Sequence, residues 1–252
     1  MKIAAIIQAR MGSTRLPGKI LMKLNGISLL QSLINQLNYS KMIDYKIIAT
    51  TNKKEDDIIE EFAKSQEIMI FRGNENDVLD RYYQCARYFS VEHIVRISGD
   101  APLIDPEIVD DVINRYKKSK FDYVNNFYKR SFPVGTEVEV FSFAALEKAW
   151  KNARKPSERE HVTPYIYNNQ DKFSLDHVEY DANLSHLHYT VDRREDLEFV
   201  KTIYKKIQKR PILLRDILTV VKEDPSILEI NKNINPAEGY IKSLLDDKKP
   251  MN

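Results

Sequence analysis

The sequence is poor in the features that anchor a chain in a membrane or cross-link it outside the cell. Its 252 residues contain one cysteine, Cys85, which excludes an internal disulfide and is typical of a reducing compartment. No apolar run approaches the roughly 18 residues of a membrane helix. The N-terminal apolar run, 3–7, is short and is followed at once by Gln8 and Arg10, unlike a signal peptide. We therefore expect a cytoplasmic protein with no membrane partner.

The charge balance shows no excess of either sign. Lys and Arg number 39 and Asp and Glu 37, for a net charge of +2. A dedicated nucleic-acid binder carries a clear basic excess, so we expect no nucleic-acid partner. Apolar residues make up 42% and charged residues 30%, which excludes a disordered or collagen-like chain. Since single cores stop growing at about 250–300 residues, we expect one domain over 1–252.

Glycine is also scarce, with seven in the chain. Five of them fall in segments that look like loops after strands: Gly12, Gly18, Gly73, Gly99 and Gly135. A chain that uses glycine so rarely, and places it there, is expected to need close backbone approach at those points.

Apolar and amphipathic segments alternate five times over the first half of the chain. Short apolar runs predict strands at 2–8, 44–51, 67–71, 92–98 and 120–125. Helical spacing predicts helices between them, starting near Ser28 and after N-caps at Asn52, Asp77 and Asp105. The pattern predicts an α/β fold, a three-layer α/β/α sandwich with a mainly parallel sheet. Ligands of such sheets lie at the carboxyl ends of the strands, where the loop 9–19 and Gly99-Asp100 fall.

The alternation stops after residue 125, and we interpret 126–185 as an excursion from the main sheet. It is predicted to hold a strand at 136–143, a helix at about 143–153, a capping box Ser157-x-x-Glu160, and strands at 172–180 and 185–191. Helices are predicted afterwards at 194–208, 213–223 and 236–246.

The loop 9–19, ARMGSTRLPGK, places three cations, two hydroxyls and two glycines directly after the first strand. Its cations are Arg10, Arg15 and Lys19. Backbone N–H groups near glycines can wrap an anion, and Arg and Lys neutralise phosphate, so the loop predicts a triphosphate site. It is not a P-loop, since five residues rather than four separate Gly12 from Gly18 and Ile20 replaces the magnesium-binding hydroxyl. The alternative is a basic surface loop.

With this loop, the chain resembles the cytidylyltransferases that activate acidic sugars, the CMP-sialate and CMP-Kdo synthetase group, and above all its SpsF-like branch. The resemblance is carried by QARMGSTRLPGK (8–19), RGNENDVLDRY (72–82), RISGDAPLID (96–105), GTEVEVF (135–141), EREHVTPY (158–165) and TVDRREDLE (190–198). These blocks stand in the family's order over about residues 1–200. The resemblance implies the nucleotide-diphospho-sugar transferase sandwich.

The resemblance also implies the reaction. CTP and an acidic sugar, a nonulosonic or Kdo-like acid for surface polysaccharide, would give a CMP-sugar and pyrophosphate, with Mg²⁺ as cofactor. The expected partners are CTP and a sugar acid or sugar phosphate, and the protein is expected to be a homodimer formed through 126–185. The implied nucleotide-binding residues are Ala9, Arg10, Gly12, Ser13, Arg15, Lys19, Arg72, Asp77 and Ser98, of which Asp77 would otherwise serve only as a helix cap. Catalysis would rest on Arg10, Arg15, Lys19 and Asp100. Kdo synthetases have glutamine where this chain has Ser98.

Two aspartates are the candidate metal ligands. Asp100 follows a strand and a glycine; on the residues alone it is either a Mg²⁺ ligand or a turn-stabilising side chain, and the resemblance favours the metal. Asp192-x-x-Glu195 has capping-box spacing, so Asp192 is either a helix cap or, as the resemblance implies, the second metal contact. Asp196 is expected to serve the helix.

Candidate sugar-binding residues come from the second half of the chain. Glu137 and Glu139 share a strand face and would accept hydrogen bonds from sugar hydroxyls, or else form an exposed face. Arg159 and His161 would bind a sugar carboxylate or phosphate, or else lie at a helix surface or dimer contact. His186 and His188 share a strand face, but no third zinc ligand is evident.

Two further classes of function stay open, besides a nucleotidyltransferase that uses another nucleoside triphosphate. One is a glycosyltransferase of the same fold, although its usual Asp-x-Asp motif is missing from Gly99-Asp100-Ala101-Pro102. The other is a binding protein without catalysis, against which the retention of all three loop cations and both aspartates argues.

Overall fold

The computed structural model describes residues 1–118, 120–235 and 237–249. Its strands are β1 (Ile3–Gln8), β2 (Lys23–Leu24), β3 (Ile27–Ser28), β4 (Tyr45–Thr51), β5 (Met69–Gly73), β6 (His93–Ser98), β7 (Tyr123–Asn125), β8 (Glu139–Ser142) and β9 (Leu175–His177). Its α-helices are α1 (Leu29–Leu37), α2 (Asp57–Ser65), α3 (Val78–Tyr88), α4 (Pro106–Lys118), α5 (Phe143–Asn152), α6 (Pro156–His161), α7 (Pro164–Tyr167), α8 (Arg194–Lys206), α9 (Leu214–Glu223) and α10 (Glu238–Asp246). Short 3₁₀ helices span Lys19–Leu21, Lys54–Asp56 and Pro225–Ile230. Across the described ranges, no helix has the length and apolarity to cross a membrane.

Seven strands form one mixed sheet in the order β5-β4-β1-β6-β8-β7-β9. β1 lies at its centre, parallel to β4 and β6. β8 runs antiparallel to both of its neighbours, and the other six strands share one direction. β2 and β3 form a separate antiparallel pair. The predicted mainly parallel sheet is confirmed.

Helices cover both faces of this sheet. Ile3, Ala5 and Ile7 of β1 are buried in a core with residues of α1, α2, α4, α8 and α9. Ala4 and Ile6 point to the opposite face and join a second core with residues of α3, α5 and α7. Because the side chains of a strand alternate between faces, an unbroken apolar run means burial on both sides. The predicted three-layer α/β/α sandwich is confirmed.

The sheet order reverses direction at β1. The chain builds β4 and β5 on one side of β1 and then returns to place β6 on the other side. In open α/β sheets the ligand crevice lies at such a switch point, beyond the carboxyl ends of the strands. Here Gln8 and Ser98 pair as the last residues of the two strands. A Cβ on Gly99 would lie 2.7 Å from the Gln8 carbonyl oxygen, so the close approach of the backbone after β6 to the end of β1 requires glycine.

The segment 126–185 has a mixed character. Two of its strands, β8 and β9, belong to the main sheet, whereas α5, α6 and α7 lie outside it. The strand predicted at 185–191 is wrong, because only a single bridge between Val134 and His188 forms there. The alternating pattern reflects a connector that buries Leu187, Tyr189 and Val191 and whose Val191 N–H donates to the Asp100 carbonyl at 2.9 Å.

Most helix starts agree with the prediction. Ser28 and Asp77 cap α1 and α3 through their side chains, and Asp105 accepts N–H bonds at the start of α4. The cap at Asn52 is wrong, since a 3₁₀ turn intervenes and α2 begins at Asp57. Position 236, the first of the predicted helix 236–246, lies outside the described residues.

The capping box at Ser157 and Glu160 is also wrong. The α6 helix begins at Pro156, a residue suited to the first helical position, so Ser157 lies already inside the helix. The N–H groups of Arg154 and Lys155, which precede the helix, instead donate to the Glu158 carboxylate at 2.9 and 3.1 Å.

The single cysteine is a packing residue. Cys85 is completely buried on α3, as its apolar neighbours predict. Burial raises the pKa of its thiol to about 12, so the thiolate is suppressed at neutral pH.

Candidate active site

A cavity of about 380 Å³ opens at the carboxyl ends of β1 and β6, the switch point of the sheet. Its volume is in the range of small-molecule sites, about 300–1,000 Å³. The predicted site residues that line it are Ala9, Arg10, Ser13, Arg15, Lys19, Ser98, Asp100, His161 and Asp192. The first loop, the end of β6 and the segment before α8 therefore converge on one site.

Lys19 is the centre of the charged cluster. Its ammonium donates to Asp100 Oδ2 at 2.6 Å, to Asp192 Oδ1 at 2.8 Å and to the Val191 carbonyl at 2.7 Å. Its side chain is only 8% exposed. Burial alone would lower the pKa of Lys19, but the two carboxylates outweigh it and raise the pKa above its ordinary value. Lys19 is therefore a firmly held cation.

Asp100 is fixed from two sides. Besides Lys19, it accepts a hydrogen bond from the Ser98 hydroxyl at 2.6 Å. Burial alone would raise the pKa of Asp100, but the Lys19 charge and these hydrogen bonds lower it below its ordinary value. Asp100 is thus an ionised carboxylate at the end of β6.

Asp192 binds cations and does not cap α8. Its Oδ1 accepts from Arg15 Nη2 at 2.6 Å as well as from Lys19. The N–H groups of Asp192 and Arg193 donate instead to Asp196, at 3.0 and 2.9 Å. The capping reading of Asp192 is therefore wrong, and Asp196 serves the helix as expected.

The two aspartates fit a divalent cation. Asp100 and Asp192 converge on the same point, the Lys19 ammonium. Among the described residues no group of three or more His, Cys, Asp or Glu could hold a metal, which also leaves the zinc site at His186 and His188 without support. Two carboxylates, with water and phosphate oxygens, are what Mg²⁺ ordinarily takes.

The loop after β1 is held in shape by its own backbone and by one buried carboxylate. The N–H groups of Ser13 and Gly18 both donate to the Met11 carbonyl, at 2.8 and 3.0 Å. Gly18 adopts a φ of 70°, in the region that favours glycine. The Met11 N–H donates at 2.7 Å to Asp56, which is fully buried and also binds Thr51. Sequence reasoning missed Asp56, since nothing in the motif marks it.

A buried ion pair forms the floor of the cavity. Arg96 lines the cavity and binds Glu139, with a second bond to Gln8 at 3.2 Å. Glu139 also accepts from the Tyr123 hydroxyl at 2.8 Å and is 2% exposed. Glu137 binds the Gly135 N–H at 2.6 Å. Neither glutamate lines the cavity. Both were predicted to bind the sugar, but each binds other residues of the protein instead.

Three further residues that were predicted to bind substrate lie outside the cavity lining and bind other parts of the protein. Arg72 bonds the carbonyls of Thr51 and Lys53 and the carboxylates of α2. Arg159 and Asp77 bind each other, with Nε of Arg159 2.9 Å from Asp77 Oδ2. Gly12 does not line the cavity either; a Cβ there would lie 2.8 Å from the Glu55 carboxylate. The start of α3 contributes Val78 and Arg81 to the lining instead.

The far wall of the cavity comes from α6 and α10. His161 lines it and its Nε2 lies 2.9 Å from the Ser243 hydroxyl. Burial lowers the pKa of His161 below its ordinary value. Glu238, Gly239 and Lys242 of α10 complete the wall. Sequence reasoning missed these three, because only the tertiary fold brings the last helix to the first loop.

Comparisons with known proteins identify the class of this site. The family called Cytidylyltransferase matches residues 4–234. The chain is 35% identical over 231 residues to the spore coat polysaccharide biosynthesis protein SpsF of Bacillus subtilis, covering 88% of this chain and 95% of the relative. It is 41% identical over 236 residues to the uncharacterized protein MJ1063 of Methanocaldococcus jannaschii, covering 93% and 96%. The chain belongs to the cytidylyltransferase family and is a nucleotidyltransferase.

Solved structures agree. A cytidylyltransferase from Leptospira borgpetersenii superposes with a TM-score of 0.87 at 34% identity, covering 93% of this chain and 98% of that one. A CMP:2-keto-3-deoxy-manno-octonic acid synthetase complexed with CTP superposes with a TM-score of 0.65 at 16% identity, covering 82% and 99%. This second likeness shows the fold, which is that of the nucleotidyltransferases, as the resemblance implied.

Proposed function

We propose that the protein transfers the cytidylyl group of CTP to an acidic sugar, giving a CMP-sugar and pyrophosphate for surface polysaccharide synthesis. The observation that carries the proposal is the cluster of Lys19, Asp100 and Asp192 at the switch point, joined by Arg15, in a chain of the cytidylyltransferase family. Such a cluster supplies both the cations for a triphosphate and the carboxylates for a divalent metal.

The triphosphate is assigned to the loop after β1. Arg10, Arg15 and Lys19 neutralise its charge and stabilise the departing pyrophosphate. Of these, Arg10 makes no ion pair within the described parts of the chain, whereas Arg15 and Lys19 are held by carboxylates. The sugar hydroxyl attacks the α-phosphorus in line, so the chain's contribution is positioning and charge neutralisation.

Asp100 and Asp192 are the residues that would hold Mg²⁺. When bound, the ion supplies Lewis-acid polarisation of phosphate oxygens and of the attacking hydroxyl. Ser98 keeps Asp100 oriented through its hydrogen bond, and Arg15 does the same for Asp192. These are the positioning roles that the chain itself provides.

The acceptor is assigned to the α6 side of the cavity. The name of SpsF supports a polysaccharide precursor, and that of the CMP:2-keto-3-deoxy-manno-octonic acid synthetase supports CTP and a sugar acid. His161 lines the cavity on this side, where its ring can hydrogen-bond a sugar oxygen besides the bond of its Nε2 to Ser243, and burial lowers its pKa below the ordinary value. Arg159 remains bound to Asp77.

The test is a pyrophosphate-release screen of four nucleoside triphosphates against sugar acids and sugar phosphates with Mg²⁺. We expect release with CTP and a sugar acid, and its loss in Asp100→Asn. Sugar transfer from a nucleotide-sugar, without pyrophosphate release, would instead indicate a glycosyltransferase. CTP binding without turnover on any acceptor would indicate a binding protein.

A further inference from the structure

The last helix contributes to the cavity although it lies beyond the part of the chain that the family matches. That match ends at residue 234, and α10 begins at Glu238. Glu238, Gly239 and Lys242 line the cavity. Their spacing of one, three and four residues places them on one face of the helix. The cavity wall therefore includes a helix outside the residues that the family model matches.

Polar contacts hold α10 against α6. The Ser243 hydroxyl lies 2.9 Å from His161 Nε2 and donates to Glu160. Asp247 accepts from the Ser157 N–H at 2.8 Å and from its hydroxyl at 2.6 Å. These contacts fix the position of α10 next to His161, so Lys242 is a defined part of the wall on the acceptor side.

Lys242 is the cation of this wall that forms no ion pair with any described residue, although its charge acts on Asp246 one turn further along α10. Lys19 is held by Asp100 and Asp192, and Arg15 by Asp192. The floor residue Arg96 is paired with Glu139. Within the described ranges, Lys242 makes no ion pair.

The other unpaired cations of the cavity lie elsewhere. Arg10 belongs to the triphosphate loop, and it is close enough to Arg81 of α3 for their charges to interact. Both lie at the loop and α3, whereas Lys242 lies on α10 next to α6. The two carboxylates that line this wall are engaged, Glu160 by the Ser243 hydroxyl and Glu238 by Arg15 and Arg193. An anion bound there would therefore meet the Lys242 ammonium.

We propose that Lys242 binds the anionic group of the acceptor and makes α10 the element that selects acidic over neutral sugars. The proposal rests on the proposed function, since it takes the acceptor to be an anion. CTP and an acidic acceptor repel each other, so a cation is needed where the second anion binds. The exposed ammonium of Lys242, on its flexible stem, provides that charge at the cavity wall. A carboxylate and a phosphate present the same chemistry to it.

The test measures binding directly, by calorimetry, to chain saturated with Mg²⁺ and α,β-methylene-CTP, which cannot react. The probes are 2-keto-3-deoxy-manno-octonate, N-acetylneuraminate, glucose 1-phosphate and uncharged glucose. We expect the chain to bind an anionic probe more tightly than glucose. Lys242→Gln should lower the affinity for that probe about tenfold or more, as loss of a charged hydrogen bond does. The probe most affected distinguishes a carboxylate from a phosphate.

Two further variants separate charge from structure. Lys242→Arg keeps the charge and should bind the probe within about threefold of the wild type, a difference under 1 kcal/mol. Lys248→Gln removes an exposed lysine of the same C-terminal segment that does not line the cavity and should change nothing. Equal binding by Lys242→Gln and wild type, or no preference of the wild type for any anion, would overturn the proposal.

The outcomes also separate this proposal from the proposed function. If the chain releases no pyrophosphate from CTP but Lys242→Gln weakens anion binding, the function fails and Lys242 remains an anion site that does not serve a CTP acceptor. If CTP and a sugar acid react and Lys242→Gln leaves the acceptor KM unchanged, the function stands and the role of Lys242 fails.

Discussion

The ammonium of Lys19 lies 2.6 Å from Oδ2 of Asp100, which joins the loop after β1 to the end of β6. The same ammonium lies 2.8 Å from Asp192 Oδ1, at the entrance to α8. Three segments distant in sequence thus meet at one charge. The candidate metal carboxylates and a candidate phosphate ligand hold one another in place, so the site is ordered by its own charges.

The loop cations should matter more for turnover than for folding. Arg15→Ala removes a partly exposed guanidinium and should lower kcat on the order of 10²-fold or more, as lost charge stabilisation does, with little change in Tm. Lys19→Ala should lose at least as much activity. It should also lower Tm, because Asp100 and Asp192 lose their shared partner.

The control for both is Lys23→Ala, since Lys23 is exposed and does not line the cavity. Steady-state pyrophosphate release and thermal unfolding on the three variants make the comparison. Near-normal turnover of Arg15→Ala and Lys19→Ala would remove the loop from the mechanism.

Asp192→Asn should separate metal binding from folding. The helix cap of α8 is Asp196, so α8 itself should stay intact, but Tm should fall because Lys19 and Arg15 lose a charged partner, as in Lys19→Ala. Asn lacks the charge that a hard cation needs, so kcat should fall on the order of 10²-fold or more and half-saturation by Mg²⁺ should rise. Asp100→Asn should behave alike, and Asp224→Asn, which alters a partly exposed carboxylate that does not line the cavity, should keep normal activity. A fully active, normally Mg²⁺-responsive Asp192→Asn would exclude the metal role.

The Lys19–Asp100 pair should make stability depend on pH in a defined direction. Because the pKa of Asp100 is lowered in the fold, its contribution is present above the ordinary Asp pKa of about 4 and is lost as the pH falls through the lower folded pKa. Because the pKa of Lys19 is raised, its contribution is lost only as the pH rises through that folded pKa, above about 10.

The free energy of unfolding of the wild type relative to Asp100→Asn should therefore be level between about pH 5.5 and 9 and should fall below about pH 4. Urea denaturation of both proteins across this range measures the difference. A difference that grows on acidification would show that Asp100 is not held ionised by Lys19.

The protein is expected to be a homodimer. We propose that 126–185 forms the contact, since Tyr128 of this segment is 47% exposed. A two-fold pair is the commonest oligomer. Light scattering should give twice the chain mass of 29.5 kDa. A mass of 29.5 kDa over a wide concentration range would contradict the dimer.

Much of the fold could be predicted because local patterns agree with the tertiary structure. The run that forms β1 is apolar without alternation, which is the pattern of a strand covered on both faces. Ser28 and Asp77 were predictable caps because their side chains bond N–H groups three residues on. The caps at Asn52 and Ser157 failed where a 3₁₀ turn or a proline shifted the helix start by a few residues.

Which residues line the site was easier to predict from the sequence than which residues they bind. The sequence motifs indicated Arg15, Lys19, Asp100 and Asp192 as site residues, and all four line the cavity. They could not indicate that Arg159 and Asp77, both expected to bind substrate, bind each other. Such pairings depend on distances between helices that no local pattern encodes, as does the arrival of α10 at the first loop.

The central claim is that the cavity between β1 and β6 binds CTP for transfer. A crystal structure of the protein with CTP and Mg²⁺ tests it most directly. We predict the triphosphate against Arg10, Arg15 and Lys19, with the metal bound by Asp100 and Asp192. A nucleotide bound away from this cavity, or a metal that contacts neither aspartate, would contradict the account.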